Sequence, residues 1–109
     1  MLKASISKFT DHEDNHYYLF NVDDEEVRYS FPLNTTELMI FADGLDGCIY
    51  QGVKDLQLEL YKFNVNDRRK YVTISFISEI PMMSFRFQKA VAVSVLGEAK
   101  KILKEQNLL

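Results

Sequence analysis

Apolar and polar side chains alternate with a period of two along most of this chain. A β-strand is the element that buries one face of such a pattern. Leu2, Ala4 and Ile6 fall on one face of a first candidate strand, and Tyr17 to Val22 is an aromatic and β-branched run. Val27, Tyr29 and Phe31 alternate with Arg28 and Ser30 in a third, which Pro32 closes. Further on, Leu56, Leu58 and Leu60 alternate with Gln57, Glu59 and Tyr61, and Lys70 to Ser78 carries Val72, Ile74 and Phe76 on one face. Glu79-Ile80-Pro81 interrupts the pattern. Phe85 and Phe87, then Val91, Val93 and Val95, resume it, with Gln88-Lys89 between them as a bulge or tight turn, giving one bent strand or two. Thr10 to Asn15, Asp23 to Glu26 and Asn64 to Arg69 read as polar turns. The first third is most economically an antiparallel meander.

Two stretches depart from this period. Asn34-Thr35-Thr36-Glu37 is a helix start, with Asn34 as N-cap and Glu37 completing a capping box. Leu38, Phe41, Ala42 and Leu45 follow at helical spacing, and Gly47 is placed to end the helix. Gly44 inside it costs about 1 kcal/mol relative to Ala, so a strand from Glu37 to Ala42 turning at Asp43-Gly44 is the rival reading. Ser94 can cap a last helix with Leu96, Ala99 and Leu103 on its apolar stripe, flanked by Val95 and Ile102. Lys100, Lys101 and Lys104 lie toward its outer face and C-terminus, where the helix dipole favours cations. The expected fold class is α+β: a mainly antiparallel sheet of about six to seven strands, one mid-chain helix and a C-terminal helix. Residues 1–109 are read as a single domain, since a chain of 109 residues is near the commonest domain size.

A hydrophobic fraction of 47% and a charged fraction of 27% exclude a disordered tail. The single cysteine, Cys48, excludes an internal disulfide and reads as a small buried hydrophobe. The start lacks the uninterrupted apolar core of a signal peptide, and no apolar run approaches the roughly 20 residues that cross a bilayer. A cytoplasmic protein without membrane contact is expected.

The charges are segregated. Residues 1–60 hold twelve carboxylates against four Lys/Arg, and residues 61–109 hold four against nine. The balances of −8 and +5 sum to the net charge of −3. The acidic half concentrates its charge in two knots, Asp11-His12-Glu13-Asp14 and Asp23-Asp24-Glu25-Glu26. Carboxylates packed that closely raise the free energy of the compact state, and a basic partner would relieve it. Such runs also serve simply to keep turns soluble and to block edge pairing. With Tyr17, Tyr18 and Tyr29 nearby, they are also suitable parts for an interface with a basic protein. The candidate partner-binding residues are Asp11, Glu13, Asp14, Asp23, Asp24, Glu25 and Glu26, with Tyr17 and Tyr29.

No residue announces a reaction, and no catalytic residue, metal ligand or cofactor is expected. His12-Glu13-Asp14-Asn15-His16 matches H-E-x-x-H, which on a helix sets two imidazoles on one face to hold zinc. Asp11, Asp14 and Asn15 are poor interior helix residues, and no third histidine exists, so the segment reads as a solvated loop. The glycines are not spaced for a phosphate loop. Cys48 with two remote histidines makes a nucleophile–base pair only on paper. Arg68, Arg69 and Lys70 beside Tyr71 could touch nucleic acid, but the pI near 5.3 and the acidic first half would repel a phosphate backbone.

The stretch from Phe31 to Leu103 has a characteristic layout: Phe31-Pro-Leu-Asn-Thr-Thr-Glu-Leu-Met-Ile-Phe-Ala, Leu45, Gly52, Leu56-Gln-Leu-Glu-Leu, Val72-Thr-Ile-Ser-Phe, Phe85-Arg-Phe and Leu96-Gly-Glu-Ala-Lys-Lys-Ile-Leu. This layout resembles small bacterial immunity proteins of polymorphic-toxin and contact-dependent inhibition systems. It covers about two-thirds of the chain and rests on the spacing of apolar residues, so it carries over no functional residue. The resemblance implies a cytoplasmic α+β domain that binds and neutralises a cognate toxin domain, commonly a nuclease. Two alternatives compete: a phage-encoded inhibitor of host defence of the anti-CRISPR kind, and a small metal-dependent hydrolase using His12, Glu13 and His16.

Overall fold

A computed structural model describes residues 2–66, 70–77, 79 and 81–108. The elements run β1 (Lys3–Thr10), β2 (His16–Asp24), β3 (Val27–Leu33), α1 (Thr35–Tyr50), β4 (Asp55–Gln57), β5 (Tyr61–Asn66), β6 (Tyr71–Phe76), β7 (Met83–Gln88) and α2 (Lys89–Glu105). The strands form two antiparallel sheets, β1-β2-β3 and β4-β5-β6-β7. Each is a meander in which consecutive strands pair, as the short turns require. The fold is therefore α+β, with seven strands and two helices among the described residues.

Each sheet turns one face inward. Ile6, Phe20 and Phe31 share a row across the first sheet, and Phe63, Ile74 and Phe85 share one across the second. All six are buried and belong to a core that also takes in Leu38, Phe41 and Leu45 of α1 and Ala92, Leu96 and Ala99 of α2. Aromatic rings join the layers. Phe31 stacks on Phe76 with centroids 3.9 Å apart, and Phe20 meets Phe41, Phe76 and Phe87 at 5.1, 5.6 and 6.2 Å. Helix α1 packs on β5, α2 packs on β1, and the two helices pack on each other.

The capping box at α1 forms as its sequence implies. Glu37 N–H donates to Asn34 Oδ1 at 2.8 Å, and Asn34 N–H donates back to Glu37 Oε1 at 2.9 Å. The rival strand reading is overturned, because Glu37 to Gly44 are all helical. The helix does not end at Gly47. It continues to Tyr50, because Cys48 and Ile49 extend the buried stripe, and the chain turns at Gly52 with φ 78°.

Other expectations are corrected. The β1 strand runs to Thr10, and β3 passes through Pro32 to Leu33. Pro32 is tolerated because β3 is an edge strand with a free side. Leu56, Leu58 and Leu60 do not share a strand: β4 stops at Gln57, and Leu58 N–H closes a tight turn on the Tyr61 carbonyl at 2.8 Å. The true strand is β5, where Tyr61, Phe63 and Val65 alternate through Asn64, a residue assigned to a turn from its polarity. A sheet with one solvated face accepts Lys62 and Asn64 on that face. Arg68, Arg69, Ser78 and Ile80 lie outside the described residues.

Val91, Val93 and Val95 are helical, not a strand. Their alternation coincides with a stronger helical spacing of Ala92, Val95, Leu96, Ala99 and Leu103, all buried. Ser94 is consequently an exposed mid-helix residue and caps nothing. The N-cap is Gln88, extended at φ −63° and ψ 147°, with no side-chain capping bond.

Candidate functional site

Strand β2 carries both acidic knots, one at each end. From His16 to Asp24 it spans eight steps of about 3.4 Å, which separates the turns by roughly 27 Å. The knots therefore form two acidic tips, not one cluster.

At the first tip Asp11 is absorbed by the turn itself. Its Oδ1 accepts the backbone N–H groups of Glu13 at 2.8 Å and Asn15 at 3.0 Å, and its Oδ2 accepts the Asn15 amide at 3.1 Å. Donation from the Asn15 backbone N–H is the chief reason its carboxyl is held below the ordinary range. Asp14 follows with φ 61°, a left-handed conformation that Asp and Asn tolerate better than most residues. Glu13 and Asp14 are exposed and make no ion pair with a described residue. His12 is exposed in the turn, and His16 opens β2 with its Nδ1 3.2 Å from Thr10 Oγ1. The H-E-x-x-H letters thus lie on a turn and a strand, not on one helical face. Among the described residues no group of three or more His, Cys, Asp or Glu side chains converges to hold a metal ion.

The second tip is tighter than its four carboxylates suggest. Asp23 and Asp24 belong to β2, and only Glu25 and Glu26 form the turn, with Glu25 at φ 41° and Glu26 N–H bonded to the Asp24 carbonyl. Asp23 pairs with Arg28 across the hairpin, with Arg28 Nε donating at 2.7 Å and a second guanidinium bond at 3.2 Å. The hydrogen bonds from Arg28 depress the Asp23 carboxyl and raise the guanidinium. Asp24 and Glu26 are exposed and make no ion pair with a described residue.

Between the tips lies the outer face of the first sheet. The register sets Lys3, Asp23 and Arg28 in one row, Ser5, Asn21 and Ser30 in the next, then Ser7, Leu19 and Pro32, then Phe9 beside Tyr17. Asn21 is 5% exposed, and its amide is satisfied there by Ser7 at 3.0 Å and Ser30 at 2.8 Å. Tyr17 shares this face with Phe9, which is 47% exposed. Tyr29 does not. It occupies the inner face, its ring 5.4 Å from Phe85, and Tyr18 is buried on the same face two rows along the sheet. The structure therefore groups Tyr17 with the first tip and removes Tyr29 from the outer surface.

Sequence reading overlooked a second surface. On α1, Met39 and Ile40 are 40% and 44% exposed and lie off the buried stripe. Large apolar residues outside a helix's own stripe were the signal available in the sequence. Compared with known proteins, the chain matches no protein family and no curated sequence.

Proposed function

We propose that this protein is a non-enzymatic inhibitor of the immunity type, binding a basic, nuclease-type toxin domain through the outer face of β1-β2-β3 and its two acidic tips. The observation that carries this reading is the set of exposed carboxylates with no ion pair among the described residues (Glu13, Asp14, Asp24 and Glu26) at both ends of one strand. Their separation of roughly 27 Å exceeds what a small ligand bridges, but it suits a protein. A standard interface covers about 800 Å² per partner, a disc roughly 32 Å across, which takes in both tips and the face between them. On that face Phe9 and Tyr17 supply apolar and aromatic contact, while the carboxylates stand in for the phosphates of a nuclease substrate.

Complementary charge acts first on the rate of encounter. The test begins with capture of the partner from the host by the tagged protein, followed by association kinetics at several salt concentrations. Replacing Asp14 and Asp24 by Asn, and Glu13, Glu25 and Glu26 by Gln, leaves Asp11 and Asp23 to hold their turns. This variant is expected to associate about tenfold more slowly at low salt, with a flatter salt dependence. An unchanged association rate at low salt would remove these tips from the interface.

A further inference from the structure

The strongest feature outside the acidic tips is a groove of about 800 Å³ between α1 and the β4–β5 hairpin. Its apolar lining is Ile40, Leu56, Leu58 and Leu60. Among the described residues, every charged side chain lining it is a carboxylate: Glu37, Asp43 and Glu59. Asp43 and Glu59 are exposed and have no ion-pair partner among the described residues. Tyr61 also lines the groove. It is 3% exposed, and its hydroxyl is a buried polar atom without a hydrogen-bond partner among the described residues. Burial first, and the nearby Glu37 charge second, push that phenol well above its ordinary range, so it stays a neutral donor.

We infer that this groove is a binding site for an extended peptide segment in which apolar and basic residues alternate. Asn34 to Gly44, the N-cap and the part of α1 that line it, spans ten steps of about 1.5 Å, or roughly 15 Å. That length holds four to five extended residues at about 3.3 Å each. Alternate side chains of such a segment point to opposite sides. One set enters the Ile40–Leu58–Leu60 floor while the other reaches the carboxylates on the rim. Basic residues are selected because the described residues of the walls offer three carboxylates and no cation. The site does not depend on the acidic tips and stands or falls separately from them.

The test uses the full chain and three fluorescein-labelled peptides: one alternating Lys and Leu, one alternating Glu and Leu, and one alternating Lys and Ser. Binding is followed by anisotropy, and the site is mapped by amide chemical shifts in ¹⁵N-labelled protein. The Lys/Leu peptide is expected to bind, with shifts centred on Ile40, Asp43, Gly44, Leu58 and Glu59. The other two peptides should bind at least tenfold more weakly. Asp43→Asn combined with Glu59→Gln should weaken Lys/Leu binding roughly fivefold to tenfold, while Asp24→Asn with Glu26→Gln leaves it unchanged. Tyr61→Phe, which removes the unpartnered hydroxyl, should raise the melting temperature. Equal binding of the Lys/Ser peptide, shifts centred on the β1–β2 and β2–β3 turns, or no binding of the Lys/Leu peptide would each overturn the assignment.

Discussion

Gly44 illustrates how a residue that weakens a helix can still be required by it. A Cβ at this position would sit 2.9 Å from Phe63 Cε2 and 3.2 Å from methyl carbons of both Leu56 and Leu58. Phe63 is fully buried and cannot step aside, so α1 reaches the β4–β5 hairpin only because position 44 has no side chain. Gly97 on α2 is the opposite case, with nothing within 4 Å of a built Cβ. Alanine gains about 1 kcal/mol over glycine in a helix interior, whereas overpacking a core costs about 1–3 kcal/mol. Gly97→Ala should therefore stabilise the protein by up to about 1 kcal/mol. Gly44→Ala should destabilise it by about 1 kcal/mol net, the clash outweighing the propensity. Urea unfolding of the two variants checks the contrast. Equal stabilisation by both would mean that α1 and β5 do not approach as closely as described.

Between elements, a polar contact ties the helices beside their apolar seam. Lys100 Nζ donates to Asp46 Oδ1 at 2.7 Å, and Gln51 Nε2 donates to Asp46 Oδ2 at 2.8 Å. The Lys100 hydrogen bond is the main reason the Asp46 carboxyl lies below its ordinary value, with Gln51 and the Lys100 charge adding to it against a burial penalty. A depressed carboxyl stabilises the fold above its unfolded pKa of about 3.9, and the contribution disappears as pH falls through the folded value. Asp46→Asn should accordingly lower the melting temperature at pH 7 and lower it much less near pH 2. Thermal melts at the two pH values decide the point, and an equal offset at both would remove Asp46 from the acid response. Asp11, Asp23 and Glu105 are depressed in the same direction by their own partners, so an acid limb remains in the variant.

At the scale of the molecule, two sheets that share no hydrogen-bonded strand pair are held together by aromatic rings. Phe20 is the bridge. It is fully buried on β2 and touches rings from α1, β6 and β7. A Cα radius of gyration of 13.5 Å matches the roughly 13 Å expected of one compact unit of this length. Phe20→Ala should cost about 3–5 kcal/mol, as large-to-small changes in a well-packed core do. The loss should appear as one transition with the same midpoint by far-ultraviolet and near-ultraviolet circular dichroism. Two separated midpoints would show that the sheets fold independently.

Local rules wrote much of this fold into the chain. The period-two runs of β1, β2, β3, β6 and β7 and the Asn34–Glu37 capping box were readable because each depends on neighbours within a few residues. The α+β class followed from them. Where two periods overlapped, as at Val91 to Val95, or where a polar outer face disguised a strand, as at Asn64, the choice fell to packing against distant elements. The same division holds for the candidate surfaces. Sequence placed two acidic knots, Asp11–Asp14 and Asp23–Glu26, on either side of one strand, although Asp23 and Asp24 belong to the strand itself. Only the β2 register set them at opposite ends of that strand, turned Tyr29 inward and spent Asp11 on its own turn. The only local sign of the groove beside α1 was Ile40, an apolar residue off the helix's buried stripe. The groove exists because Gly44 lets a helix and a hairpin, adjacent in space but built from separate runs of sequence, approach without closing the space between Ile40 and Leu58. A pattern within the chain fixes which face of an element is apolar, but which faces meet, and what gap is left between them, is decided by the whole core at once.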